Sequence, residues 1–259
     1  MQKEVDFEVP PIVEVVAGVT FRRLSGFEIP HFGRFWEMLP SDFSRTQTAT
    51  PNLRPDESYG PLDMPVRCWF LSEDNRRLVQ LQRDSFFFNW RRVEGDDAGD
   101  YPEYHTIYPE FVRHLGSLHD FVKRENIGGV EPIGCELTYV NLISVELLNG
   151  HFGSATDVMI DHRRVGGKRF LPEPSEFNWV SIYPLPGTAG QLTVRAASAV
   201  RTTGANEKLI RLELSAQGQP ASNDQKGLDA WFDLAHYHIV KGFADMTDLD
   251  FQSSVWRRR

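Results

Sequence analysis

Cysteine is scarce: Cys68 and Cys135 are the only two in 259 residues. A single pair makes no disulfide framework, and a four-thiolate zinc site needs twice as many. Both cysteines lie in apolar stretches, where reduced core thiols belong. Long hydrophobic runs are missing too. No stretch approaches the roughly 18–20 consecutive apolar residues of a membrane span, and the opening MQKEVDFE is acidic with no apolar signal region. The expectation is a cytoplasmic protein without membrane contact. Positive charge is short: 28 Lys and Arg against 36 Asp and Glu leave a net charge of −8, which opposes attraction to phosphate backbones or anionic surfaces. Nucleic acid is therefore not the expected partner.

Standard catalytic signatures are absent as well. There is no Gly-x-Ser-x-Gly elbow, P-loop or Gly-x-Gly-x-x-Gly fingerprint, and Gly166-Gly167-Lys168 lacks the strand and helix that would make it a phosphate cradle. Among the eight histidines, His114 and His119 are five apart and His236 and His238 two apart, so neither pair has the i, i+4 spacing of helical zinc ligands. No cofactor and no metal are expected. The carboxylate pairs Asp96-Asp97 and Asp157 with Asp161 read as solvated charges, as does the basic tip Arg257–Arg259 after Trp256.

What is present is a globular composition, 41% hydrophobic and 12% aromatic, in a chain long enough to hide roughly 70–75% of its unfolded surface. Ile12–Arg22 alternates Val13, Val15, Ala17, Val19 and Phe21 with Glu14, Val16, Gly18, Thr20 and Arg22, the period-two pattern of a half-buried strand. Pro30 opens a short helix carrying Phe32, Phe35, Trp36 and Leu39, and Pro40 closes it. Ser44–Pro65 holds four prolines and no apolar periodicity, so it reads as a long loop. Val66–Ser72, Arg77–Gln82 and Phe86–Val93 follow with short polar connections, as an antiparallel meander. After the Gly/Asp-rich break Gly95–Asp100, Ile107, Phe111, Leu115, Leu118 and Val122 make the stripe of an amphipathic helix ending near Arg124.

The second half shows a strand at Cys135–Leu148, a helical segment at Ser154–Ile160 and a Gly/Pro loop. Strands at Phe177–Tyr183, Gln191–Arg201 and Lys208–Ala216 precede a long helix from Lys226 to Ala244, with Leu228, Phe232, Ala235, Ile239 and Phe243 on one face. This order predicts an α+β protein of two β-α-β-β-β-α units, residues 1–130 and 131–259, each an antiparallel sheet under a long helix, either separate or joined in one continuous domain.

The richest polar and aromatic set is Gln80, Gln82, Phe87, Asn89, Arg91, Tyr101, Tyr104, Tyr139 and Asn141. Gln80 and Gln82 share a strand face, as do Asn89 and Arg91, so neighbouring strands present amides and a guanidinium beside Phe87. Phe86, Phe88 and Trp90 point the other way. Coverage of Phe87 by the second unit is one expectation, and an internal hydrogen-bond network joining the halves is another. As a binding surface, the set orients a polar ligand or peptide without an evident nucleophile or general base. His236, beside Phe232 and Phe243, reads as a satisfied, partly buried histidine.

PPIVEVVAGVTF (10–21), FGRFWEML (32–39), LVQLQRDSFFFNWR (78–91), YPEY (101–104), TYVNLI (138–143) and AHYHIVKGF (235–243) together resemble a sporadically distributed bacterial family of unknown function. The chain departs from the family pattern at 208–213, KLIRLE, where Arg211 stands near a usual acidic residue. The family's patchy occurrence implies genes in mobile or defence-linked clusters. The leading expectation is a non-catalytic protein that recognises a protein partner or peptide through the sheet face and the 44–65 loop. A second is a small-molecule protein or enzyme with a pocket between the halves, lined by Tyr101, Tyr104, Tyr139, Asn141 and His105 or His236. A third is a nucleic-acid binder with Phe87 and arginines on a curved sheet.

Overall fold

Alternating apolar and polar residues recur along the chain, and a computed structural model turns these stretches into strands of one sheet. It describes residues 5–52, 66–93, 95–96, 101–148, 155–163, 170–172, 174–201 and 206–259. The strands are β1 (Ile12–Phe21), β2 (Arg45–Ala49), β3 (Arg67–Leu71), β4 (Arg77–Leu81), β5 (Ser85–Arg91), β6 (Pro132–Ser144), β7 (Asn178–Pro184), β8 (Gln191–Arg201) and β9 (Glu207–Gly218). They run in the order β2-β3-β4-β5-β1-β6-β9-β8-β7, with each neighbouring pair antiparallel.

The helices are α1 (Ile29–Trp36), α2 (Tyr104–Glu125), α3 (Ala155–Val158), α4 (Gln225–Met246) and α5 (Leu249–Ser254). Their ends are chemically marked. Pro30 sits in the first turn of α1, where its missing N–H costs nothing. Asn126 closes α2 in the left-handed conformation at φ 55°. The Asp224 carboxylate accepts from Gly227 N at 2.8 Å at the start of α4.

The expected two β-α-β-β-β-α units, each an antiparallel sheet under its own long helix, are overturned. Val15–Tyr139, Ala17–Leu137 and Val19–Cys135 pair β1 directly with β6, so both halves contribute to one nine-stranded sheet. The long helices share one core on one face of it. Phe111 of α2 packs on Phe232 of α4 at 5.1 Å between ring centroids, and both belong to the cluster that holds Val15, Phe86, Phe88, Leu137 and Leu212. Apolar area is buried most completely when the two apolar helix stripes meet each other and a common sheet face.

Smaller expectations change too. The 44–65 loop contains strand β2, whose Thr46 and Thr48 pair with Phe70 and Cys68; residues 53–65 lie outside the described residues. β2 is short and polar with exposed side chains, the composition of an edge strand, so hydrophobic periodicity gave no sign of it. The helical segment at 154–160 reduces to the four-residue α3 and a following 3-10 turn. Gly166-Gly167-Lys168 and Asp97 also lie outside the described residues. Arg257 and Arg259 are not free in solvent: they pair with Glu8 at 2.9 Å and Asp6 at 3.4 Å while residue 258 bridges Phe7. No described helix is long and apolar enough to cross a membrane.

Candidate functional site

The helices cover one face of the sheet, and the strand register decides which side chains occupy the other. On β5, Phe86 and Phe88 enter the helix-side core, so Phe87, Asn89 and Arg91 must face the opposite way. Gln80 lies across from Phe87, Leu78 across from Asn89, and Trp69 of β3 across from Gln80. On the other flank Gly18 opposes Phe87 and Val16 opposes Asn89, while Glu136 of β6 opposes Gly18. The Phe87 ring lies directly over Gly18, where a Cβ would come within 1.9 Å of its Cδ1. Glycine is required here because the ring occupies the space of a side chain. The Gly18 backbone covers one side of the Phe87 ring, which is 7% exposed.

Beside Phe87 lies a cavity of about 380 Å³, lined by Glu14, Asn52, Arg67, Trp69, Gln80, Asn89, Arg91 and Glu136 together with Val16, Leu78 and Phe87. A relay of hydrogen bonds crosses it. Arg67 donates to the Gln80 side-chain oxygen. Gln80 Nε2 donates to Asn89 Oδ1 at 2.6 Å, and Asn89 Nδ2 donates to Glu14 Oε1 at 2.7 Å. Each buried amide thus has a fixed orientation. Gln82, at the rim, holds residue 52 by accepting from its backbone N–H at 2.7 Å and donating to its carbonyl at 3.2 Å.

The charges in this cavity are held by neutral groups. Arg67 also donates to Thr50 O at 3.2 Å and Asn52 Oδ1 at 2.8 Å, and its guanidinium lies 5.6 Å over the Trp69 ring. Burial lowers the Arg67 pKa, and the more distant Glu136 charge partly restores it. Glu136 accepts from Thr138 Oγ1 at 3.1 Å and Gln217 Nε2 at 3.0 Å. Burial nevertheless raises its carboxyl above the usual glutamate range, because removal from water costs the anion more than these two donors return. Arg91 donates to Asn75 O at 3.1 Å. Trp69 Nε1 and Arg91 Nε are buried with no hydrogen-bond partner among the described residues.

The sequence-derived residues therefore divide across the sheet. Gln80, Gln82, Phe87, Asn89 and Arg91 share the face free of helices among the described residues, called the helix-free face below. Tyr101, Tyr104, Tyr139 and Asn141 lie on the helix side, because β6 places Leu137, Tyr139, Asn141 and Ile143 in one register toward the core. There Tyr101 donates to Tyr139 Oη at 3.3 Å, and Tyr139 Oη meets His236 Nδ1 at 3.0 Å. Tyr104 stacks on His236 at 4.1 Å and donates to Asp233 at 3.2 Å, and Tyr108 donates to Asp229 at 2.7 Å. Burial pushes the Tyr139 hydroxyl well up and the His236 imidazole down to about 4. These groups tie α2 and α4 to β6 through filled hydrogen bonds. Asn141 donates to Leu212 O at 3.1 Å within the sheet, and His105 is exposed beside Glu103. Tyr101, Tyr104, Tyr139 and His236, expected to line a pocket between the halves, contact one another on the core side of the sheet. The expected network joining the halves is this tyrosine–histidine cluster; the Arg67–Gln80–Asn89–Glu14 relay stays within the first 91 residues.

Glu14, Arg67, Trp69 and Glu136 complete the cavity and were missed from the sequence. One signal was present: Glu14 and Glu136 are lone charges inside strongly apolar strands, in the register opposite the core. The pairing that brings them together joins residues more than a hundred positions apart and leaves no local trace. No family model matches this chain, and no curated protein shows significant similarity to it.

Proposed function

We propose that this protein binds a peptide, free or part of a partner protein, on the helix-free face of β3, β4, β5 and β1. The observation that carries this reading is the cavity beside Phe87. Two of its polar side chains are buried and pre-oriented: Gln80 is 5% and Asn89 4% exposed. Trp69 and Arg91 also line it. Fixed amides beside an aromatic edge match what peptide backbones and side chains require for recognition, at small entropic cost to the receptor. The described lining orients a ligand and includes no hydroxyl or thiol nucleophile.

Selection of peptides by display on the intact chain, followed by hydrogen-exchange mapping, tests the reading. Bound peptides should slow exchange in residues 67–91 and 12–21 more than elsewhere. Protection confined to the α2–α4 side, or none at all, would overturn it.

A further inference from the structure

We infer that the ligand of this cavity is a zwitterion, a free amino acid or short peptide with both termini unblocked, its ammonium received by Glu14 and Glu136 and its carboxylate by Arg67 and Arg91. The inference rests on the reading of the cavity as the binding site and extends its ligand from peptides to free amino acids, both with unblocked termini.

Two guanidiniums from β3 and β5 and two carboxylates from β1 and β6 line one cavity, yet none of the four pairs with another among the described residues. Glu14 and Arg91 are direct cross-strand partners, the position where an ion pair ordinarily forms. Instead the Asn89 amide holds Glu14, and Arg91 is drawn to the Asn75 carbonyl. Arg67 meets only carbonyl and amide oxygens, and Glu136 only a hydroxyl and an amide. Neutral partners fix these side chains, and only the longer-range attraction between Arg67 and Glu136 offsets their charge. Cationic and anionic poles therefore both remain available in a partly desolvated site, where charge-assisted hydrogen bonds are strongest.

A polyanion would gain the two arginines but meet two carboxylates, and a polycation the reverse. A ligand with one charge of each sign satisfies both poles. At about 380 Å³ the cavity is near the lower end of the roughly 300–1,000 Å³ of ligand pockets, which suits an amino acid or short peptide. Val16, Leu78 and Phe87 supply its apolar floor.

The test is calorimetry and thermal unfolding of the intact chain with the twenty amino acids and a set of dipeptides, each unblocked, N-acetylated, C-amidated and doubly blocked. At least one unblocked probe should bind saturably, and either single block should weaken it about tenfold, the worth of one charge-assisted contact. The amino-acid and dipeptide arms separate the two sizes of ligand. Glu136→Gln should raise the unfolding temperature of the empty protein, by removing a buried charge, and still weaken the unblocked probe about tenfold; a purely structural Glu136 would not separate the two readouts. Equal binding of a doubly blocked dipeptide would overturn the zwitterion inference while leaving the binding face intact. Failure of every unblocked probe at millimolar concentration would also overturn it, and the binding face falls too only if display-selected peptides map elsewhere.

Discussion

Gly18→Ala places a methyl group in the space of the Phe87 ring, whose Cδ1 would be 1.9 Å away. Real carbon contacts do not come so close, so the ring must leave its seat on β1 and swing into the cavity. One ring face is about 100 Å² of apolar surface, and at about 25 cal/mol per Å² its exposure costs about 2.5 kcal/mol. Relief of glycine's unfavourable entropy within a strand returns about 0.5–1 kcal/mol, for a net loss of about 2 kcal/mol. In a Phe87→Ala background no ring stands in the way, and the same substitution should stabilise by about 0.5–1 kcal/mol. Urea unfolding of the wild type, both single variants and the double variant closes the cycle, with an expected coupling of about 2–3 kcal/mol. The displaced ring should also block the cavity, so Gly18→Ala should lose binding of any peptide selected on this face. An effect of Gly18→Ala that is the same in both backgrounds would refute the seating of Phe87 on Gly18.

His114 is 1% exposed between Phe43 and Phe88, and burial, reinforced by Arg113 and Arg77, holds its pKa at about 4. Its unfolded value is about 6.5, so its neutral form contributes stability that is complete above that pH and is lost as the pH falls toward 4. Between pH 7 and 5 the loss should be about 2 kcal/mol, and His114→Phe should remove that share of the pH slope in urea titrations; an unchanged slope would refute it. Tyr139→Phe removes the hydroxyl shared by Tyr101 and His236 and should cost about 1–2 kcal/mol while leaving peptide binding on the opposite face unaltered. Loss of binding without loss of stability would instead place Tyr139 in the site.

Much of the local structure was legible because it rests on periodicity. The alternation at 12–22 and the apolar runs at 77–82 and 86–93 mark strands, and the stripe from Ile107 to Val122 marks α2. The opposite orientation of Phe88 and Phe87 follows from the two-residue repeat alone, which is why Gln80, Asn89 and Arg91 could be grouped correctly. The same rule, applied to Tyr139 and Asn141 without knowledge of the β1–β6 register, could not say which side of the sheet they share. β2 escaped notice because an edge strand with exposed polar residues carries no hydrophobic period.

The sequence alone determined where most strands and both long helices form, since each depends on side-chain spacing within a few residues, capping groups such as Asp224 and Asn126, and the absence of long apolar runs. Tertiary structure alone decided that β1 pairs with β6, that the two helical stripes close one core, and that Arg67, Arg91, Glu14 and Glu136 meet around Phe87. Those outcomes depend on long-range burial of apolar area and on hydrogen-bond register between distant strands. A single residue of slip would have turned every one of these side chains to the other face of the sheet.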